Sequence, residues 1–297
     1  MTFFDEFIQG WADFWSASLG EKLPTGFLER VVFLISQYGM SFLRGAGWTF
    51  VIALVGTAIG FLIGLICGIV QTIPVTPKNN IVYRIFMKIV HTIIYIYVEV
   101  FRGTPMMVQA MVIYYGAFSM GIQMTPIFAG FFIVSINTGA YMAETMRGGI
   151  YSVDVGQTEG AKALGMSHFS TMLRVILPQA VRNIMPQIGN NLIINIKDTS
   201  VLNVIGVVEL YFATKSVSGA YYTYFEAFSI TLVIYLVMTV TCSRILRLLE
   251  RKIDGADSYD LSTTDTLAHT SGLHSPTIPA GRGRLRGSGG KGAKKHE

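Results

Sequence analysis

Two groups of polar residues interrupt an otherwise apolar chain and carry most of its chemistry. The first is the run from Gly156 to Pro178, Gly-Gln-Thr-Glu-Gly-Ala-Lys-Ala-Leu-Gly-Met-Ser-His-Phe-Ser-Thr-Met-Leu-Arg-Val-Ile-Leu-Pro. It is polar and helix-compatible. Gly160, Ala161, Ala163 and Gly165 keep its surface small, so another backbone can approach closely. Leu177-Pro178 punctuates the run before the next segment. The chemistry of such a stretch is docking, a short helix offered to a soluble partner. The second group is Gln187, Asn191, Asn195 and Asp198, at spacings of four, four and three, with Lys197 beside it. On a helix they form one stripe. Amide groups turned to lipid would lose water without gaining partners, so the stripe faces either another helix or an aqueous path.

Arg102 and Asn137 add polar groups inside apolar stretches. An arginine deep in a bilayer costs about 2.5–3.5 kcal/mol on insertion scales, so Arg102 needs a partner, a cavity or an interfacial position. Glu99, three residues earlier, can pair with it on the same helix face. No nucleophile constellation or metal cluster emerges. Cys67 and Cys242 sit in apolar stretches without ligand spacing and read as small buried hydrophobes. His168 reads as exposed on the polar run.

The elements that must hold these residues follow from composition. Of 297 residues, 51% are hydrophobic and 14% charged, against about 25% charged in an average soluble domain. That places the chain in a bilayer. Five spans are expected, at about 46–70, 92–118, 127–148, 182–201 and 224–246, each near the roughly 20 residues that cross the hydrocarbon. Gly56, Gly60, Gly64 and Gly68 fall on one face of the first span and should pack closely on another helix. Phe101-Arg102-Gly103-Thr104-Pro105 should kink the second. Ahead of the spans, 27–43 reads as a separate amphipathic stretch ending near Arg44. Phe3, Phe4, Phe7, Ile8, Trp11, Phe14 and Trp15 share one face of a helix that lies in the interface or packs on the core. Asp5 and Glu6 stand where a signal peptide would carry basic residues, so targeting falls to the first span.

Much of the net charge of +5 comes from the end of the chain after residue 280, the last part of a Ser, Thr, Gly and Pro-rich tail that begins at about 254, disordered by composition and either solvated or drawn to anionic lipid. Basic residues also crowd 71–91, 147–182 and 244–252, whereas 119–126 and 202–223 together hold only Lys215. The positive-inside rule puts the first set in the cytoplasm, the N-terminus outside and the C-terminus inside.

The run at 156–178 resembles the loop of permease subunits of ATP-binding-cassette importers, whose pattern is Glu-Ala-Ala, three residues, Gly, nine residues, then Ile-x-Leu-Pro. Glu159-Gly160-Ala161, Gly165 and Val175-Ile176-Leu177-Pro178 stand at that spacing, with Gly160 in place of alanine and Val175 in place of isoleucine. Phe101-Arg102-Gly103-Thr104-Pro105, Gly139-Ala140-Tyr141, Arg147-Gly148-Gly149-Ile150, Gly156-Gln157 and Lys197-Asp198-Thr199-Ser200 look like the polar amino-acid branch (histidine, glutamate, glutamine or arginine uptake) of that family.

The resemblance implies an all-α integral membrane protein of the type I (MetI-like) fold with about five transmembrane helices, in the plasma (inner) membrane. It implies an extension over 1–44, a permease domain over 45–250 with a coupling loop at 150–180, and a tail over 254–297. It implies that Gly156, Gln157, Glu159, Gly160 and Ala161, with Lys162, Ala163, Leu164, Gly165 and Pro178, couple the chain to an ATPase dimer. A second permease subunit, identical or homologous, and an extracytoplasmic amino-acid-binding protein complete the expected assembly. The chain itself should bind no cofactor and hydrolyse nothing, with ATP and magnesium held by the partner. Leu285 stands where the first P-loop glycine before Lys291 belongs. No nucleic-acid partner is expected. A free amino acid carries both charges, so the candidates for its pathway are Arg102, Asn137, Gln187, Asn191, Asn195, Lys197 and Asp198. The competing reading is a stand-alone secondary transporter, which should show paired halves with matching broken helices.

Overall fold

A computed structural model describes residues 26–254. The aromatic stretch at 3–15 and the tail beyond 254 lie outside the described residues. Among the described residues there are helices and turns but no strand. The long helix α1, Phe27–Gln71, comes first. The Glu29 carboxylate accepts the Gly26 N–H at 3.3 Å at its start, and Pro74 and Pro77 follow its end. The expected separation of 27–43 from 46–70, and with it a boundary at residue 44, is not observed. Arg44 is exposed on the outer side of α1, where it disturbs no packing. Gly45 is pressed against the backbone of Leu210, and α1 continues unbroken through this point.

The second expected span divides. Helix α2 covers Ile81–Gly103 and α3 covers Met106–Ser119. Asn80 caps α2 by accepting the Val82 N–H at 3.1 Å. The stretch carrying Arg84, Lys88 and His91 is therefore part of the helix and does not precede it. At the other end Thr104 is extended and Pro105 opens α3, a full break where a kink was expected. Proline removes the donor that would continue α2 and disfavours helical backbone in the residue before it.

Helix α4, Pro126–Tyr151, starts at Thr125, whose hydroxyl accepts the Phe128 N–H. After it come the short helices α5, Val155–Ala163, and α6, His168–Thr171. A π turn over Met172–Ile176 leads into α7, Leu177–Asp198. Pro178 is expected to punctuate the run ahead of the next segment. It is absorbed instead, because a π turn opens the helix where the proline ring would strike a carbonyl. The fourth span thus begins before residue 182. A 3₁₀ segment, Thr199–Ile205, then α8, Leu210–Tyr221, and α9, Tyr224–Asp254, complete the described chain.

Among the described residues helices α1, α2, α4 and α9 are long and apolar enough to cross a membrane, and the bent pair through α7 and α8, with a 55° angle, makes a fifth when counted as one span. The sequence expectation of about five agrees with this. The bundle is organised by α1 and α4. Gly60 meets Thr138 and Gly68 meets Met146, with Gly56 on Val134 and Gly64 on Met142 between and beyond them. The two helices therefore run parallel, and α2 must return between them. A Cβ on Gly60 would lie 2.6 Å from Thr138 Cβ, and one on Gly68 would lie 2.7 Å from Met146 Cβ. Only glycine permits this approach.

Candidate functional site

The run at 156–178 is held at the end of α4 by local chemistry. Asp154 Oδ1 accepts the Gly156 N–H at 2.6 Å and starts α5. Its end is closed by two bonds, Gly165 N–H to the Lys162 carbonyl at 2.9 Å and Met166 N–H to the Ala161 carbonyl at 3.1 Å. Gly165 has φ of +75°, the left-handed geometry that this closure requires. Ser167 then caps α6 through the Ser170 N–H at 3.2 Å. The small residues and caps of this sequence thus fold into a compact helix–turn–helix.

This loop is anchored on one side and bare on the other. Ala161 is buried, while Gly156, Gln157, Glu159, Gly160, Lys162, Ala163, Leu164 and Gly165 are exposed. Beneath them Met146, Ile150, Val153, Met172, Ile176, Ala180 and Ile184 form one apolar cluster, with Phe61, Leu65 and Ile69 of α1 packed on it. Asn183 donates to Ser152 Oγ at 3.0 Å and ties α7 to the end of α4. Leu164 and Phe169 are 84% and 73% exposed, an apolar face that no other described residue covers. Glu159 makes no ion pair among the described residues and caps nothing. His168 is exposed, as read from the sequence.

The polar residues within the bundle separate into three sets. Asn195, expected on the open stripe, is 5% exposed and donates to Thr57 at 2.7 Å and to Thr138 at 2.9 Å, tying α7 to α1 and α4. Asn191 is half-buried and donates to the Gln187 carbonyl of its own helix, whereas Gln187, Lys197 and Asp198 are exposed. The stripe is therefore not one surface. A helix turning 100° per residue carries a four-four-three spacing around far enough to bury one member and expose others.

The second set surrounds the break between α2 and α3. Gln109 donates to the Phe101 carbonyl at 2.8 Å and to the Thr104 carbonyl at 2.9 Å, and Asn137 donates to Gln109 Oε1 at 2.9 Å. Tyr97 donates to the Ile136 carbonyl at 2.6 Å. Arg102, expected beside Glu99, instead pairs with Glu144 of α4 and lies 5.6 Å over the Tyr141 ring. It occupies the last turn of α2, where the break lets it reach across. Arg147 joins Glu144 at 3.3 Å. Asn137 and Arg102 are thus brought to one place, and the α7 residues are not.

The third set was missed in the sequence. Glu209 is fully buried at the start of α8. Its carboxylate accepts the Tyr211 and Phe212 N–H groups at 2.9 and 2.8 Å, the Thr49 hydroxyl at 3.2 Å and the Tyr235 hydroxyl at 3.1 Å. An acid three residues after Gly206 and directly before an apolar helix is the one local signal of this cap. Cys242 is buried and Cys67 partly so. Among the described residues no group of three His, Cys, Asp or Glu side chains is placed to hold a metal.

Comparison with known proteins agrees with this architecture. The family described as binding-protein-dependent transport system inner membrane component matches residues 80–255. The glutamine transport system permease protein of Escherichia coli K12 is 37% identical over 214 residues, 71% of this chain and 92% of that protein. A putative glutamine transport system permease protein of Rickettsia bellii is 34% identical over 66% of this chain and 87% of its own. Among solved structures, an amino acid ABC transporter with histidines superposes with a TM-score of 0.64 at 35% identity, covering 77% of this chain and 99% of that one. The inward-facing MetNI methionine ABC transporter shares the fold, with a TM-score of 0.56 at 18% identity over 71% of this chain and 97% of that one.

Proposed function

The chain belongs to the family of binding-protein-dependent transport system inner membrane components, and from that premise we propose that it is the permease subunit of an ATP-driven importer of polar amino acids. In this reading a cytoplasmic ATPase dimer receives α5 and α6, and a second permease subunit completes the membrane passage. A binding protein on the opposite side delivers the cargo. The N-terminus lies outside and the C-terminus in the cytoplasm, as the basic residues favour. ATP and magnesium belong to the ATPase.

The observation that carries the proposal is the loop: two short capped helices whose Leu164 and Phe169 have no partner among the described residues, seated on an apolar cluster shared by α1, α4 and α7. A partner that grips this face moves three membrane helices together. Alternating access then follows when the gripping surfaces separate or close. Gly156, Gln157, Glu159, Gly160, Lys162, Ala163 and Leu164 form the contact, Ala161 and Gly165 keep its shape, and Pro178 sets the junction with α7. The cargo pathway in this reading starts from Arg102 and Asn137, joined by Gln109 and Glu144, since an amino acid needs both donors and acceptors. Gln187, Asn191, Lys197 and Asp198 line it from α7, where they face the second subunit. Asn195 serves helix contact instead.

The test is reconstitution with the co-purifying ATPase and binding protein, with a panel of amino acids screened for stimulated ATP hydrolysis. A polar amino acid should stimulate. If none does, the amino-acid assignment fails; uptake that persists without the ATPase would favour a secondary transporter.

A further inference from the structure

One face of α2 is charged and mostly exposed, with His91 and Arg102 as its links to the rest of the bundle. Met87 and Val98 are buried against the bundle, with Val90, Ile94 and Tyr97 half-buried beside them. Val82, Phe86, Ile89, Ile93, Ile96 and Val100 form a second, exposed and apolar face. The third holds Arg84, Lys88, His91, Tyr95, Glu99 and Arg102, which fall within about 80° of arc and span about 27 Å of helix. Two cavities of about 570 and 320 Å³ adjoin along this stripe, with His91 and Tyr95 common to both. The first holds Arg84 and Lys88; the second holds Glu99, Glu144 and Arg147.

Arg84, Lys88 and Glu99 have no ion-pair partner among the described residues, while Glu144 lies between Arg102 and Arg147. Four cations, Arg84, Lys88, Arg102 and Arg147, thus face two carboxylates, Glu99 and Glu144. Charges on a membrane helix turn to protein or water, because hydrocarbon supplies no partner. His91 Nε2 donates to the Val70 carbonyl at 2.9 Å and fixes the rotation of α2, so the apolar face takes the lipid and the charged face does not.

We propose that this stripe walls an aqueous passage from the α2–α3 break to the loop side of the membrane, and that its excess of cations selects amino acids of zero or negative net charge over cationic ones. The proposal rests on the reading of the chain as an amino-acid permease. Low-dielectric walls of one sign concentrate ions of the other, and they raise encounter rates by about tenfold or more. A glutamate or glutamine carboxylate meets Arg84 and Lys88 on leaving, whereas an arginine or lysine side chain is repelled there.

The test has two arms, both on the full-length permease with its ATPase in nanodiscs. In a Cys67→Ala, Cys242→Ala background, Tyr95→Cys is placed on the stripe and Thr92→Cys beside it in the lining of the first cavity, with Ile93→Cys and Ile96→Cys on the lipid face. Anionic sulfonate and cationic trimethylammonium thiosulfonates are applied, and rates are normalised to free cysteine. The stripe positions should react and the lipid positions should not. The anionic reagent should be favoured by about tenfold, a preference that Arg84→Gln with Lys88→Gln removes. Equal reaction on both faces, or no sign preference on the stripe, overturns the passage whether or not transport survives. In the second arm, binding of labelled glutamate, glutamine, arginine and lysine is measured without the binding protein. Glutamate and glutamine should bind about tenfold more tightly than arginine and lysine, and the double Gln variant should erase the difference. Equal or stronger binding of the cations overturns the selection. The expected labelling with no amino acid bound overturns the cargo reading and leaves the passage standing.

Discussion

Gln109 reaches back over the break between α2 and α3 and donates to the Phe101 carbonyl at 2.8 Å. The same amide serves Thr104, so one side chain satisfies the Phe101 carbonyl that the missing N–H of Pro105 would have served and the Thr104 carbonyl at the break itself. Replacing it with leucine strands polar groups inside the bundle at about 1–3 kcal/mol. Gln109→Leu should therefore lower the thermal midpoint of the detergent-solubilised protein and reduce uptake. An unchanged midpoint would mean that water already serves those carbonyls.

Glu159→Arg should leave membrane insertion and thermal stability unchanged, because Glu159 is exposed and bonds nothing among the described residues. It should sever ATP hydrolysis from uptake in the reconstituted importer. Normal uptake by this variant would remove Glu159 from the coupling role.

Gly160 and Gly165 should respond oppositely to alanine. A Cβ at Gly160 meets nothing within 4 Å, so Gly160→Ala should stiffen α5 by up to about 1 kcal/mol and preserve coupling. At Gly165 the space is also open but φ is +75°, a conformation that costs an alanine about 1–2 kcal/mol. The ratio of substrate transported to ATP hydrolysed should fall for Gly165→Ala and hold for Gly160→Ala.

Glu209→Leu should be more damaging than Glu209→Gln. Both remove the charge, but Gln keeps an oxygen for the start of α8, whereas Leu leaves the Tyr211 and Phe212 N–H groups and two hydroxyls unanswered. A buried unmet donor costs about 1–3 kcal/mol. Limited proteolysis near residues 206–210 and the thermal midpoint report the difference. Equal behaviour of the two variants would remove the capping role.

Gly60→Val should fail at the level of assembly. Its Cβ would lie 2.6 Å from Thr138 Cβ, and overpacking of this kind costs about 1–3 kcal/mol or more. Yield of folded, monodisperse protein is the measurement.

Features that depend on neighbours in the chain were readable from the sequence. The glycines at 56, 60, 64 and 68 announce a close helix contact by their period alone, and α4 meets them there. Gly165, written into the loop pattern, ends α5 in the left-handed turn that only glycine takes readily. Distant partners were not readable. Glu209 depends on Thr49, 160 positions away, and Arg102 on a helix beyond the next. The break after Gly103 could be seen, yet its depth depends on α3 finding a surface on α4 and the 3₁₀ segment. Arg44 misled because a charge can sit on the outside of a helix that continues beneath it. Asn195 and Gln187 looked alike by spacing, and only packing separates a buried amide from an exposed one.

The parallel contact of α1 with α4 also governs how displacement travels. Its glycines act as notches, one every four residues or about 6 Å of rise, and a side chain of α4 fills each. A shift shorter than one notch cannot be taken up by slippage. A small stroke applied at the end of α4 is therefore delivered at full amplitude along α1, and a larger one must disengage the whole rack at once.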